Sequence, residues 1–285
     1  MPSLIDLRRR IRSVKNTEQI TKAMKMVSAA KLRRAQDKVI AARPYSAVLR
    51  KVLANVAAAA SLEDGADNPL LAHRPEKKIL LVVVTGDKGL AGAFNSNLIK
   101  GAVRFSSEHK DAEVFFELIG RKGRDFFRKR KVHIAGEQIN LAAKPVYADT
   151  AAIAARAMEM FRKAEIDSVY LIFNEFKSVM TQKVTLTRVL PAELPQQEGP
   201  VDYIYEQPAA EMLDALLPRY VEVEFYRAVL ESAAAEHAAR MTAMESATSN
   251  ASDMIDTLTL NLNRVRQASI TREIIEVVSG ASAAE

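Results

Sequence analysis

The C-terminal part of the chain carries an apolar seam that is both long and regular. From Met241 to Ser269 the seam positions alternate steps of three and four residues, and the same register extends back to Leu213. This makes about eight heptads, and a seam of that length and period indicates a left-handed coiled coil. A helix this long cannot bury its seam inside one small domain, so a second long helix must pack along it.

Residues 3 to about 57 provide a candidate for that second helix, because no glycine precedes Gly65. Six apolar positions follow heptad spacing, the last two after a polar stretch: Leu4, Leu7, Ile11, Val14, Met24 and Val27. Pro44 is expected to kink or split this helix near Arg43. Pro218 is expected to interrupt the C-terminal segment, leaving a short helix at 209–217 and a main helix from about Pro218.

The charges of the two ends favour their pairing with each other. Residues 1–53 contain fourteen Lys/Arg and three acids, a net of +11, whereas residues 209–285 contain six Lys/Arg and twelve acids, a net of −6. Opposite charges of this kind contribute modest, salt-screened attraction. The C-terminal seam also contains small and polar residues, such as Ala251 and His237, that would make a poor dimerisation zipper. We therefore predict an antiparallel pair of the chain's own ends.

Between the two helices the pattern changes to that of an α/β domain. Lys78–Val84 is a continuous apolar, β-branched run, typical of a strand buried on both faces in a parallel sheet. Further strands are predicted at 113–119, 132–135, 168–174 and 183–189, alternating with helices at 95–108, 121–130 and 149–164. Linkers are predicted at 61–75 and 191–208.

These elements predict an α+β fold, in which a long antiparallel coiled coil of the N- and C-terminal helices carries an inserted Rossmann-like α/β domain. The expected domains are an N-terminal coiled-coil helix at 1–57, the α/β domain at 76–195 and a C-terminal coiled-coil helix at 209–285.

A glycine-rich loop, residues 85–92, follows the first strand and is the strongest enzyme-like feature. Ligands bind at this edge of open α/β sheets, and glycines there let backbone amides approach a phosphate. The spacing is G-x-x-G-x-x-G, however, which matches neither standard phosphate loop. A tight turn or a partner-contact loop is the simpler interpretation, and a nucleotide-binding α/β enzyme is one alternative function.

Composition excludes other classes of function. The chain has no Cys among its 285 residues, its four His are scattered, and no catalytic motif is recognisable. We therefore expect no catalytic residues, no cofactor and no metal. No apolar run approaches the roughly 18 residues that span a bilayer, and a cytosolic or peripheral location is expected. The basic N-terminal helix leaves a nucleic-acid-binding coiled coil as a second alternative, although no aromatic residue interleaves its cations from Arg8 to Arg34.

Five segments, in order along the whole chain, resemble the gamma subunit of F-type ATP synthases. The most specific is RQASITREIIEVVSGA at 266–281, and the others are QITKAMKMV at 19–27, RPY at 43–45, DKGLAG at 87–92 and ARMTAM at 239–244. The resemblance implies a non-catalytic rotor shaft inside a ring of three alpha and three beta subunits. The α/β domain would form its foot beside the epsilon subunit and the c-subunit ring.

The resemblance also implies a mechanism and a location. Proton flow through the membrane would turn the shaft and drive ATP synthesis at the beta subunits, or run in reverse during hydrolysis. The chain would lie on the cytoplasmic face of the cell (inner) membrane, as a peripheral protein held there only through the complex, with no nucleic acid as partner.

By the same resemblance, two sets of residues are expected to contact partners. Contacts with the beta subunits are expected from residues near both chain ends: Met24, Lys25, Arg266, Gln267, Thr271 and Glu276. A foot or partner-contact loop is expected at Asp87, Lys88 and Gly89. At about 100° per residue, Arg266 and Thr271 lie roughly 140° apart on a helix, so they could contact different subunits at once.

Overall fold

A computed structural model describes residues 3–60, 68–193 and 206–282 of the chain. Within those ranges it contains five α-helices, α1 to α5, at Leu4–Ala60, Phe94–Glu108, Arg121–Phe127, Tyr147–Arg162 and Ala209–Ser282. Its five strands, β1 to β5, lie at Lys78–Val84, Glu113–Ile119, His133–Gln138, Ser168–Phe176 and Gln182–Leu190. A short 3-10 helix occupies Pro69–Leu71. By contacts the chain divides into two compact units, one running from Ala29 to Arg240 and the other formed by the chain up to Ser28 and from Met241 onwards.

The unit from Ala29 to Arg240 is built on one five-stranded sheet in the order β3-β2-β1-β4-β5. Strands β1 to β4 are parallel, and β5 pairs antiparallel with β4. Parallel strands need crossover connections, and the α-helices between them supply these. The first strand is central, with six of its seven residues buried, because both of its faces are covered. This is the predicted Rossmann-like sheet.

Two apolar clusters cover the two faces of the sheet. One joins α4 to the end of α1 and the start of α5, and includes Leu53, Ala60, Ala209 and Leu217. The other contains α2, α3 and Ala235 of α5.

The Ala192 amide, just after β5, donates to the Leu70 carbonyl at 3.0 Å, and Asn68 donates to the Asp214 carboxylate near the start of α5. Because β5 is antiparallel to β4, its end lies at the amino edge of β1 to β4. The start of α5 therefore lies at that edge, and so does the end of α1, which pairs with α5 in antiparallel order.

Helix α5 then runs to the opposite edge. The Ser232 hydroxyl donates to the Val84 carbonyl at 3.2 Å, at the carboxyl end of β1. Between 221 and 240 α5 is buried on most sides, because it packs against the sheet as well as against α1. Two ion pairs join the helices in antiparallel order, Arg50 with Glu224 and Arg43 with Glu231.

The unit formed by the two chain ends is a pair of antiparallel helices. The Thr21 hydroxyl lies 2.7 Å from that of Thr248, and the Lys25 ammonium lies 2.6 Å from the Glu245 carboxylate. The predicted C-terminal seam is confirmed, because every seam position from Met241 to Ser269 is buried or half-buried. The predicted fold class is likewise confirmed.

Two expectations about the helices were wrong, one about Pro218 and one about Val27. Pro218 does not interrupt α5, so no separate helix exists at 209–217. Pro44 does not split α1, and a kink there, the other expected outcome, stays a prediction. Each proline costs about 3 kcal/mol in a helix interior, but buried neighbours such as Leu49 and Leu217 hold the flanking turns in the core. Tertiary packing therefore outweighs the local preference. The seam of α1 also does not pass through Val27, which is 56% exposed, but through Ser28, which is 3% exposed.

The remaining bounds agree closely with the sequence. Strands β1 and β2 match the predicted ranges, and β3, β4 and β5 are each two residues longer than predicted. Helix α3 ends at Phe127 rather than at residue 130. Most of the linker predicted at 191–208 and part of that at 61–75 lie outside the described residues. The division into domains at 1–57, 76–195 and 209–285 stays a prediction.

Candidate partner-contact sites

The glycine-rich loop lies at the carboxyl edge of the sheet and is held by backbone amides. Asp87 is buried, and its Oδ1 accepts hydrogen bonds from the amides of Arg121 and Asn140 at 3.1 and 3.0 Å. Asn95 Oδ1 accepts from the Gly86 amide at 2.9 Å. These hydrogen bonds join the loop to the starts of α2 and α3 and to the segment after β3. The loop therefore has the structure of a tight turn, which was the simpler of the two interpretations of its sequence.

Helix α5 closes the loop from the other side. Glu236 and Arg240 form a buried ion pair, and Arg240 also donates to the Gly89 carbonyl at 3.3 Å. A Cβ atom on Gly86 would lie only 2.7 Å from Cδ of Glu236. Glycine is required at this position because the carboxylate of Glu236 occupies the space of a side chain.

Two acidic side chains are buried beside the glycine loop. Burial raises the pKa of Glu236, although Arg240 opposes that shift, and the neighbouring charge of Asp87 raises the pKa further. The second carboxylate oxygen of Asp87 is buried and has no hydrogen-bond partner among the described residues. Two buried carboxyl groups, those of Asp87 and Glu236, thus lie next to the glycine loop. Among the described residues, no group of three His, Asp or Glu side chains could hold a metal ion.

The outer side of the loop is open. Lys88 is exposed, and Leu90 is 65% exposed with a positive φ of 60°. A leucine in the left-handed region is strained, and such strain is maintained only where the surroundings fix the backbone. The amide bonds to Asp87 and the bond to Gly89 provide that fixation. The loop therefore presents Lys88 and Leu90 outwards on a rigid base, as a contact surface requires.

In the unit formed by the chain ends, Met24 and Lys25 lie near the pairing surface of the two helices. Met24 is half-buried, and the Lys25 side chain is 38% exposed while it pairs with Glu245. Lys25 is therefore accessible to a partner and also bonded within the chain. The sequence did not reveal the pair with Glu245, which lies 220 residues away.

The other predicted contact residues lie further along α5 and are all exposed. They are Arg266, Gln267, Thr271 and Glu276. The Thr271 hydroxyl donates to the Gln267 carbonyl at 3.0 Å, so these two residues share a side of the helix. At 1.5 Å per residue, Arg266 lies about 30 Å along α5 from Glu245. The six predicted residues therefore form two separate places and do not meet in one site.

The heptad pattern did not reveal an apolar surface at the end of α5. Five residues there are 48% to 72% exposed: Ile270, Ile274, Ile275, Val277 and Val278. The seam ends at Ser269, and α1 begins only at Leu4, which explains why seam burial stops there. That mismatch in length was readable from the sequence. Exposed apolar residues in such a group are typical of an interaction surface.

No helix in the described part of the chain combines the length and apolarity needed to cross a bilayer. A protein-family profile described as ATP synthase matches residues 3–284. The ATP synthase gamma chain of Solibacter usitatus is 75% identical over 286 residues, and that of Pelotomaculum thermopropionicum is 51% identical over 288 residues, each covering 100% of both chains.

Solved structures agree with these relatives. A chain in the central stalk and c-ring structure of the Tetrahymena thermophila mitochondrial ATP synthase matches with a TM-score of 0.62 and 26% identity, over 80% of this chain and 99% of that one. A chain of the Euglena gracilis mitochondrial ATP synthase matches with a TM-score of 0.66 over 98% of this chain and 94% of that one; at 19% identity it supports the fold alone. On the strength of the profile and the gamma-chain relatives, this chain belongs to the ATP synthase gamma chain family.

Proposed function

We propose that the chain is the central rotor shaft of a proton-translocating ATP synthase. The observation that carries this proposal is the end of α5, where polar and apolar side chains are exposed around the helix beyond the last seam position. A helix end of this kind needs a surrounding partner. A ring of alpha and beta subunits would supply it, and the Tetrahymena relative is itself described as part of a central stalk.

The shaft acts by making different contacts with similar subunits. A partner that interacts equally with all three beta subunits cannot shift their conformations, because only differential interaction moves an equilibrium. Arg266 and Thr271 point in directions roughly 140° apart, so each orientation of the shaft presents a different side chain to each subunit. Met24, Lys25, Gln267 and Glu276 extend this set of contacts. Rotation by proton flow would carry each beta subunit through its conformations in turn.

We propose that the chain itself does not catalyse ATP hydrolysis or synthesis. The glycine loop is the strongest phosphate-like feature of the sequence, but its spacing, G-x-x-G-x-x-G, matches neither standard phosphate loop. Two backbone amides beside the loop, those of Arg121 and Asn140, already donate to the Asp87 carboxylate. The loop, with Asp87, Lys88 and Gly89, acts instead as a partner contact at the carboxyl edge of the sheet.

The amino edge of the sheet would face the membrane. The end of α1 and the start of α5 lie at this edge, and we propose that it forms the foot of the shaft, beside the epsilon subunit and the c-subunit ring. The chain would then be a peripheral component on the cytoplasmic side of the cell membrane, held there through the complex.

The proposal is tested by ATPase measurements on the purified chain and on a complex with alpha and beta subunits. We expect no turnover from the chain alone and turnover from the complex. Gly89→Val tests the loop, because a Cβ atom there meets only the flexible end of Lys122, at 3.8 Å, so we expect the fold to tolerate the substitution. Turnover by the chain alone that Gly89→Val abolishes would replace the rotor with a nucleotide-binding enzyme.

A further inference from the structure

Asp87 and Glu236 are a pair of buried acids that the shaft does not explain. Asp87 lies in the glycine loop and is 9% exposed, and Glu236 lies on α5 and is 5% exposed. The carboxyl group of Glu236 occupies the space beside Gly86, which precedes Asp87 in the chain. Acids are rarely buried in this way, because desolvation penalises the ionised form. Their position between two elements suggests that they control how the loop is held against α5.

The two carboxylate oxygens of Asp87 have different surroundings. Oδ1 accepts hydrogen bonds from the backbone amides of Arg121 and Asn140, and such bonds favour the ionised form of a carboxyl group. Oδ2 is buried and has no hydrogen-bond partner among the described residues. A buried oxygen of this kind costs free energy when no donor reaches it. The site is therefore short of one hydrogen-bond donor.

Charged groups from three elements face Glu236. Burial is the largest influence on this group and raises its pKa, Arg240 of α5 and Lys31 of α1 oppose the shift, and Asp87 of the loop adds to it. The net direction is upwards, so the surroundings favour the protonated form. His237 faces the same two cations, and burial together with them lowers the pKa of His237 to about 4. It is therefore uncharged at neutral pH and adds no charge to the site.

Three further cations border the loop, and they act only from its outer side. They are Lys88, Arg121 and Lys122. All three are exposed, so water and salt screen their charges. They leave the balance inside the site to the buried groups.

We propose that Asp87 and Glu236 share one proton, which Glu236 carries and donates to Oδ2 of Asp87, and that this proton fastens α5 to the glycine loop. Arg240 donates to Oε1 of Glu236, which leaves Oε2 to carry the proton. The shared proton supplies the donor that Oδ2 lacks and removes one of two negative charges from a buried site. When the proton passes to water, both carboxyl groups are ionised and repel each other.

The shared proton makes the attachment of the loop sensitive to pH. The folded chain keeps a proton that the unfolded chain releases, since the ordinary pKa of glutamate is 4.5. The stability that the pair contributes is complete below that pH and is lost as pH rises through the higher pKa of the folded state. This sign is opposite to that of His237. The inference concerns the chain itself, and only one consequence rests on the proposed function: a partner bound to the loop would find it less firmly held as pH rises.

The test compares urea unfolding of the full chain and of Glu236→Gln between about pH 5 and about pH 9. Glutamine is uncharged and can donate to Asp87, as a protonated glutamate does, so it keeps the pair in its fastened form. We expect the unfolding equilibrium constant of the wild type to rise relative to that of Glu236→Gln as pH rises. The rise should be a factor of about ten for each unit by which folding raises the pKa. His237 is common to both proteins, so its contribution cancels.

Asp87→Asn distinguishes a shared proton from one that Glu236 holds alone. Asparagine can still accept the two amide bonds through its oxygen, and its NH₂ group can donate to an ionised Glu236. We expect the effect of pH on the ratio of wild type to Glu236→Gln to shrink when both carry Asp87→Asn. The matched control is Asp125→Asn on α3, at an acid that pairs with Arg124 at 2.8 Å. It should leave the effect of pH unchanged.

Trypsin cleavage after the exposed Lys88 reports release of the loop itself. Compared at the same pH, cleavage of the wild type should become faster relative to Glu236→Gln as pH rises. A stability ratio that does not change with pH, an effect of pH that Asp87→Asn leaves intact, or a constant cleavage ratio would each overturn the shared proton. None of these results decides the rotor function, which is tested separately by turnover of the complex.

Discussion

At Gly86 a single hydrogen atom in place of a side chain lets α5 approach the glycine loop. Alanine would place its Cβ 2.7 Å from Cδ of Glu236, and that carboxylate is fixed by Arg240. We expect Gly86→Ala to lower the free energy of unfolding by about 1–3 kcal/mol, the usual cost of overpacking. Gly89→Ala is the matched control, because its Cβ meets only flexible Lys122 atoms at 3.8 Å. Urea unfolding of both variants makes the comparison, and equal stabilities would contradict the close approach.

His237 should make the stability of the chain depend on pH. Burial, together with Arg240 and Lys31, lowers the pKa of His237 from 6.5 to about 4. Between these values the unfolded chain binds a proton that the folded chain does not, so stability falls as pH falls through this window.

We therefore expect the wild type to lose about 2 kcal/mol more than His237→Gln between about pH 7.5 and about pH 5, measured by urea unfolding. His73→Gln, at an exposed histidine, should behave as the wild type. Parallel losses in all three proteins would contradict a lowered pKa of His237 in the folded chain.

Residue by residue, the sequence predicted the loop but not its surroundings. The glycines after β1 indicated a tight turn, because that information is local. Glu236 and Arg240 reach the loop from about 150 residues further along the chain. The heptad pattern predicts only one buried stripe along α5. Only the sheet, which covers a second side of α5, explains why these polar residues are buried.

Among the elements, strands were easier to predict than helix continuity. The strand β1 follows from an uninterrupted apolar run with a glycine turn after it. The prolines wrongly predicted breaks in the helices. The free-energy cost of a proline is local, whereas the packing that offsets it is spread along α1 and α5. Ion pairs such as Arg43 with Glu231 connect residues 188 positions apart, and the sequence indicated only that the two ends carry opposite charge.

The pairing of α1 with α5 offers a test of what Lys25 does. Lys25→Glu would place two acids side by side, since Lys25 lies 2.6 Å from Glu245. Because both side chains are exposed, the loss of stability should be no more than about 1 kcal/mol. We expect reduced proton pumping per ATP in reconstituted vesicles, with assembly retained.

The charge swap Lys25→Glu with Glu245→Lys distinguishes two roles for Lys25. It restores the ion pair within the chain but not a contact with a beta subunit. If Lys25 binds a beta subunit, pumping stays impaired in the double variant. Full recovery of pumping would assign Lys25 to the helix pair alone.

For the whole molecule, the exposed end of α5 should control turnover without controlling folding. We expect Arg266→Ala and Glu276→Ala to assemble normally and to slow steady-state ATP hydrolysis and synthesis, because each removes a charge that binds some beta subunits more strongly than others. Arg264→Ala removes the same kind of charge at another exposed position on this helix, and its rates are compared with those of Arg266→Ala. Full rates in the Arg266 and Glu276 variants would show that the end of α5 makes no contact that affects turnover.

If this chain is the rotor, it turns relative to the alpha and beta subunits while ATP is hydrolysed. The chain contains no Cys, so Ser107→Cys on the exposed side of α2 gives a single labelling site. An optical probe attached there reports the orientation of the α/β domain in one immobilised complex. We predict stepwise rotation in one sense with pauses at three orientations on addition of ATP. A fixed orientation in a complex that is hydrolysing ATP would contradict the account.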